Sequence, residues 1–140
     1  MPTHIRTAQS IDAEGVLALA KALATSFVVN DQAFYHVFSE LLASPQAHLA
    51  VAEVDGQLVG YVLGFEHEAF FANGCVAWVE EIIVSERFRR QGIGQLLMQE
   101  VETWAAQRGS KLVGLATRRA APFYRALGYE ESAIYFRKLL

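Results

Sequence analysis

Apolar residues along this chain recur with two different periods, and the changes of period divide the sequence. His4-Ile5-Arg6-Thr7-Ala8 alternates as a first strand does. A helical rhythm follows from Ile11 to about Ala24, with Ser10 as its expected N-cap and Val16, Leu17, Leu19, Ala20 and Leu23 as its apolar stripe. Asn30 or Asp31 is the expected cap of a second helix, Phe34 to Ala43, which halts before Pro45; Phe34, Val37, Phe38, Leu41 and Leu42 keep its spacing. Between the two helices, Ser26-Phe27-Val28-Val29-Asn30 is too apolar for a mere linker.

His48–Val54 and Gln57–Phe65 read as two strands joined at Asp55-Gly56, a strong hairpin signal. The run from Glu66 to Gly74 has no period and reads as a loop free to vary with substrate. Cys75–Val84 is rich in β-branched residues and reads as the central strand. A helix is expected from Gly92 to about Gln107, with Ile93, Leu96, Leu97, Val101, Trp104 and Ala105 on one face and Arg108-Gly109 as its stop. Lys111–Thr117 is the next strand, Ala120–Ala126 a short helix ended by Gly128, and Ala133–Leu140 a closing strand. The order βααβββαβαβ predicts a mixed α/β fold, read as one domain over residues 1–140.

The chemistry concentrates in one stretch, Val79 to Leu97. A strand carrying Glu80 and Glu81 leads into a basic turn with Arg87, Arg89 and Arg90, and then into Gly92-Ile93-Gly94 at the mouth of a helix. The first amides of a helix lack intrahelical partners and carry partial positive charge, so they seat phosphates. Glycines there remove the Cβ atoms that would hold a ligand away. The stretch is read as an anion-binding turn for a pyrophosphate.

Bulk properties narrow the partners. A formal net charge of −3 argues against nucleic acid, and more than half of the twelve Lys and Arg residues lie between Arg87 and Arg119, which suits a small anionic ligand. At 140 residues, with 53% hydrophobic and 19% charged residues, the chain can bury a full core. Cys75 is the single cysteine, which excludes an internal disulfide and fits a reducing compartment. No apolar run is long enough to span a bilayer and no signal-peptide pattern opens the sequence, so the expectation is a cytoplasmic protein without a membrane partner.

Arg89-x-x-Gly92-x-Gly94 after a strand ending at Val84 resembles the acetyl-CoA signature of the GNAT superfamily of N-acetyltransferases. Ala120-Ala121-Pro122-Phe123-Tyr124-Arg125-Ala126-Leu127-Gly128-Tyr129 resembles that family's second hallmark, a Phe-Tyr pair on a short helix followed by Leu-Gly-aromatic. The resemblance spans about residues 3–140. It implies acetyl-CoA as co-substrate, an amine as acceptor, and a central strand splayed from its neighbour. Backbone groups at Ile82 and Val84 would then pair with the pantetheine arm, and an N–H there could polarise the thioester carbonyl. The amides of Arg90, Gln91, Gly92, Gly94 and Gln95, beside Arg89, would take the pyrophosphate. The Ser26–Asn30 loop would lie over the acceptor.

For a lysine-like amine of pKa about 10.4, reaching the neutral form at neutral pH costs roughly 4.6 kcal/mol, which a general base helps to meet. Adjacent Glu80 and Glu81 are expected to point to opposite faces of their strand, so only one faces the cleft. The resemblance selects Glu80 as base; as a bland alternative it accepts hydrogen bonds or pairs with an arginine. Tyr124 matches the tyrosine placed near the coenzyme sulfur, as general acid, as hydrogen-bond donor to the thiolate, or simply packed on the sheet. Thr117 stands where relatives often carry Asn against the pantetheine. Arg118 and Arg119 suit the acceptor cleft, the coenzyme phosphates or plain surface.

Other signals carry less. The glycine turn lacks a third dinucleotide-type glycine and a P-loop lysine. His4, His36, His48 and His67 show no metal-ligand spacing, so no metal is expected; His67 is the one placed to touch substrate. Cys75 has no activating base beside it. The reading is direct acetyl transfer from acetyl-CoA to a primary amine of a small molecule or protein, the alternative being an inactive acyl-CoA-binding sensor on the same fold. The apolar last strand invites a homodimer or a cover within the subunit.

Overall fold

A computed structural model describes residues 2–24 and 26–140. Strands β1 (His4–Thr7), β2 (Ala47–Val54), β3 (Gln57–Ala69) and β4 (Gly74–Val84) are consecutive antiparallel neighbours. β5 (Val113–Leu115) runs parallel to β4 at the edge, giving the order β1-β2-β3-β4-β5. Only a crossover can join parallel strands, and α3 (Ile93–Gln107) supplies it.

Both faces of the sheet are covered, which is why β2 and β3 read as almost unbroken apolar runs. α1 (Ala13–Leu23) and α2 (Asp31–Ala43) lie on one face, where Val16, Leu19 and Phe38 pack against Leu49, Val51, Tyr61, Leu63 and Ile83. On the other, α3 sets Ile93, Leu97, Met98 and Val101 against Ala50, Ala52, Val62 and Val79. Tyr124 of α4 (Ala121–Ala126) joins that second cluster. The β2–β3 turn forms as expected, with Asp55 at φ 51° and Gly56 at φ 78°, the left-handed pair that a two-residue hairpin needs.

Several boundaries move. Asn30 caps α2 by accepting from Ala33 N–H at 2.9 Å, so that helix starts at Asp31 rather than Phe34. Its buried stripe is narrower than the spacing suggests: Phe34, Phe38 and Leu41 face the core, whereas Val37 and Leu42 are exposed. Ser10 is not a cap but opens a single tight turn, Ser10–Asp12, before α1. Asp12 closes that turn by accepting from Gln9 N–H at 2.7 Å. It also takes both Nη1 and Nη2 of Arg6 at 2.8 Å, while Arg6 Nε reaches Glu53 at 3.0 Å.

Two larger expectations are corrected. Glu66–Gly74 is not a loop: β3 continues to Ala69 and β4 begins at Gly74, leaving a tip of Phe70–Asn73. Glu66 looks polar in sequence, yet it is buried because Arg108 Nε at 2.6 Å and Ser110 Oγ at 3.3 Å neutralise and cap it. Ala133–Leu140 is not a strand: it has no ladder partner among the described residues and every side chain is exposed. Tyr129 is anchored through its hydroxyl to Glu102 at 2.7 Å, and beyond it the Tyr135 ring stacks on Trp78 of β4 at 6.4 Å although no residue of 133–140 joins a ladder.

The Arg6 guanidinium holds the Asp12 carboxyl below the usual carboxylate range, against the opposing effect of burial. Its stabilising contribution is therefore complete above the unfolded value of about 3.9 and fades as pH drops through the lower folded value. Asp12→Asn is expected to cost about 2 kcal/mol at neutral pH, between a charged hydrogen bond and a broken buried pair. Urea unfolding of both proteins at neutral pH and at about pH 3 checks this. The stability gap should narrow in acid; a gap of the same size at both pH values counts against the pair.

Candidate active site

The β3–β4 register slips by one residue where the two carboxylates stand. Leu63 pairs with Glu81 and Gly64 with Val79, so Glu80 is the extra residue of a bulge. Val79 and Ile82 both pack toward α3, which an unbroken pleat forbids for residues three apart. Simple alternation therefore does not by itself divide Glu80 from Glu81. Glu81 lies on the α1/α2 side, where its Oε1 accepts from the Tyr61 hydroxyl at 2.6 Å. Burial, reinforced by the Glu81 charge, holds the Tyr61 phenol far above its ordinary value, so it remains a neutral donor. Glu80 is exposed and has no hydrogen-bond or ion-pair partner among the described residues.

Beyond the bulge the sheet opens. β4 pairs with β5 only over Ala77–Val79, opposite Val113–Leu115. The edge of β4 from Glu80 to Val84, including Ile82, has no strand partner on that side among the described residues. The Val84 carbonyl is engaged at the end, accepting from Arg89 Nε at 3.0 Å. An open groove of about 1030 Å³ along α1 also reaches this point, where Ile83, Val84, Ser85 and Arg89 line it.

The turn into α3 gathers unpaired donors. Arg90 at φ 64° and Gly92 at φ 83° both adopt left-handed backbone, the conformation from which anion-binding concavities are made. None of the six consecutive N–H groups from Arg90 to Gln95 donates to a protein acceptor among the described residues; the first helical bond is Leu96 N–H to Gly92 at 3.1 Å. Arg87, Arg89, Arg90, Gln91 and Gln95 are exposed around them. The two glycines do different work. A Cβ on Gly92 would meet nothing, so its requirement is the positive φ. A Cβ on Gly94 would lie 3.2 Å from the Phe123 ring, so Gly94 lets the first turn of α3 sit directly against α4.

Tyr124 follows Phe123 on α4, edge-on to Phe123 at 4.9 Å and to Tyr129 at 5.9 Å. Burial pushes its phenol up, and its hydroxyl has no hydrogen-bond partner among the described residues. Thr117 is exposed, and its Oγ1 accepts from Ala120 N–H at 3.1 Å, so it caps the turn that presents α4. Arg118 and Arg119 are exposed. His67 points outward from β3, near the far end of the sheet. Tyr61 is the site residue that sequence reading missed. Its partnership with Glu81 follows from the β3–β4 register, which is hidden once Glu66–Gly74 is taken for a loop.

A strand edge left open beside a carboxylate, a cationic turn of free amides and a buried tyrosine can hold a diphosphate, extend a linear amide-bearing arm and deprotonate an acceptor. The sequence profile of the acetyltransferase (GNAT) family matches residues 16–129, and the chain belongs to that family. It is an acetyl-CoA-dependent N-acetyltransferase. It is 32% identical to an aminoalkylphosphonate N-acetyltransferase of Salmonella typhimurium, over 98% of this chain and 91% of that one. The fold superposes on glucosamine-6-phosphate N-acetyltransferase from Arabidopsis thaliana with a TM-score of 0.89 at 21% identity, covering 99% of each. It also superposes on the aminoglycoside acetyltransferase AAC(6')-Iy in complex with the bisubstrate analogue CoA-S-monomethyl-acetylneamine, with a TM-score of 0.83, 25% identity and full coverage of both chains.

Gly92→Val forces a β-branched side chain into left-handed backbone, at a cost of about 1–3 kcal/mol. Calorimetric titration with coenzyme A is expected to show an affinity about tenfold or more weaker, with unchanged far-UV circular dichroism. Wild-type affinity in a folded variant would remove the Arg90–Gln95 amides from the phosphate role.

Proposed function

We propose that this enzyme transfers the acetyl group of acetyl-CoA directly to a primary amine on a small molecule, with both substrates bound at once. The observation that carries the reading is the pairing of six free amides at the mouth of α3 with the unpaired β4 edge that leads from them to Glu80. The amides of Arg90 to Gln95, with Arg89 and Arg90 beside them, take the diphosphate. The arm then lies along Ile82 and Val84 as an added strand would, in the gap that β5 leaves open. Thr117 lines the opposite wall through its turn. A small-molecule acceptor is supported by the aminoalkylphosphonate named for the relative and the neamine moiety held by the structural neighbour.

Glu80 is the general base in this reading. It is exposed and unpaired at the bulge, whereas Glu81 is held by Tyr61. Tyr124 acts as a hydrogen-bond donor to the departing thiolate. A phenol ordinarily near 10 is already a weaker acid than a thiol near 8.5, and burial raises Tyr124 further, so outright proton transfer runs uphill. A neutral phenol is well suited to donate a charge-assisted hydrogen bond.

Glu80→Gln is expected to lower kcat by about 10²–10⁴ while leaving acetyl-CoA affinity unchanged, measured by thiol release across an amine panel and by titration. A greater loss in Glu81→Gln than in Glu80→Gln would move the base to Glu81. Tyr124→Phe is expected to lower kcat by about 10–100-fold, the worth of one hydrogen bond to a charged group. A Tyr124→Phe rate equal to wild type would leave that residue only its packing.

A further inference from the structure

Tyr61 carries a hydroxyl that its packing does not require. The residue is 1% exposed, opposite Val51 of β2 and Ile83 of β4, in a cluster that is otherwise apolar. A phenylalanine would fill the same space without needing a partner, whereas a buried phenol left unpaired is costly. The hydroxyl has one hydrogen-bond partner among the described residues, Glu81 Oε1 at 2.6 Å. Residues directly opposite in a ladder share a face, and diagonal neighbours two positions on lie within reach of long side chains. Tyr61 stands opposite Ile83, so the carboxylate in reach is Glu81, two residues earlier in β4.

That bond settles what apolar packing leaves open. Val62 pairs with Ile82 and Gly64 with Val79 on the α3 face, so Glu80 and Glu81 together oppose Leu63 alone. Without a bulge Glu80 would stand opposite Gly64, whose missing Cβ would lie 3.4 Å from Val101 of α3, an apolar site. With a bulge, either carboxylate could be the extra residue without disturbing Val79 or Ile82. Only the Tyr61 hydroxyl distinguishes them. We propose that Tyr61 is a positioning residue for acetyl transfer: by drawing Glu81 to the α1/α2 side, it fixes Glu80 as the residue that the bulge turns out beside the unpaired β4 edge. Burial and the Glu81 charge keep the phenol protonated, so the bond always has the same donor. Glu81 thereby serves as an anchor and not as a proton acceptor. The role rests on the reading of Glu80 as the base.

Tyr61→Phe removes one oxygen and keeps the ring, and Glu81 is only half-buried, so water can solvate it and the fold should be kept. Turnover is measured by thiol release from acetyl-CoA with an aminoalkylphosphonate and with neamine as acceptors. Tyr61→Phe is expected to lower kcat about 10–100-fold, the scale of a misplaced reacting group, with acetyl-CoA affinity unchanged. In a Glu80→Gln background the same change should cost little, because no base is left to place. A merely structural role would act independently, and the two losses would multiply. Glu81→Ala should match Tyr61→Phe, whereas Glu81→Gln keeps an acceptor for the phenol and should lose less. Amide hydrogen exchange needs no acceptor substrate: residues 79–83 should lose protection in Tyr61→Phe while the β2–β3 ladder keeps its own. A wild-type rate in Tyr61→Phe, losses that multiply, a Glu81→Gln enzyme as slow as Glu81→Ala, or unchanged exchange over 79–83 each overturns the proposal. A Glu80→Gln enzyme at the wild-type rate overturns the base assignment itself and, with it, any part for Tyr61 in placing that base.

Discussion

Backbone groups that the fold declines to pair with each other are what the rest of this structure exists to hold in place. Buried main-chain donors and acceptors are almost always matched in folded proteins. Here two sets stand open side by side: the β4 edge from Glu80 to Val84 and the amides from Arg90 to Gln95. The first is open because β5 pairs over three residues and then diverges. The second is open because a helix must begin somewhere and two left-handed residues bring the chain to that start. Their separation is set by the single tight turn of Glu86–Phe88, which Phe88 N–H closes onto Ser85 at 2.8 Å.

The scaffold is braced at the opposite pole. Arg108, just past the end of α3, bonds buried Glu66 of β3 and lies over Trp104, whose ring stacks on His48 at 5.2 Å. His48 in turn meets Glu100 of α3 at 2.9 Å. These contacts clamp the C-terminal half of α3 to β2 and β3, so the helix mouth is positioned by a rigid rod rather than by the loop that precedes it. Sites built on strands and helices hold their geometry better than sites built on loops. The exposed arginines of the turn can then adjust to a ligand without moving the amides.

How much of this was legible follows from which physics each feature obeys. The helices, the two-residue hairpin and the glycine turn are local, and Asp55-Gly56, Asn30 and Gly92 announce them directly. The bulge at Glu80 is not local. It is a property of register between β3 and β4, and register is hidden because Glu66-His67-Glu68 look like loop residues when the partners of Glu66, Arg108 and Ser110, lie some forty residues away. Glu66 is a strand residue only because a distant guanidinium makes its burial affordable. The same distance in sequence hides the Tyr61–Glu81 bond. The closing strand failed for the reverse reason. Ala133–Leu140 has the composition of a strand, but composition cannot supply a ladder partner, and the described residues give it none.

Gly94 links what the sequence presents as two separate motifs. Its missing Cβ lets Phe123 approach within 3.2 Å of where that atom would be, so the first turn of α3 and the helix bearing Tyr124 touch directly. Phe123 also stands edge-on to Tyr124, and Tyr124 to Tyr129, which is tied back to α3 through Glu102. The amides suited to a diphosphate and the phenol suited to a thiolate are therefore packed as one body. That matters because the two ends of a long, flexible ligand can be registered against each other only if their receptors do not move independently. A misplacement of about 1 Å at a reacting centre can cost around 10²-fold in rate. The Gly94–Phe123 contact joins the two directly, and the hydrogen bond from Tyr129 to Glu102 ties the chain just after α4 to α3 a second time.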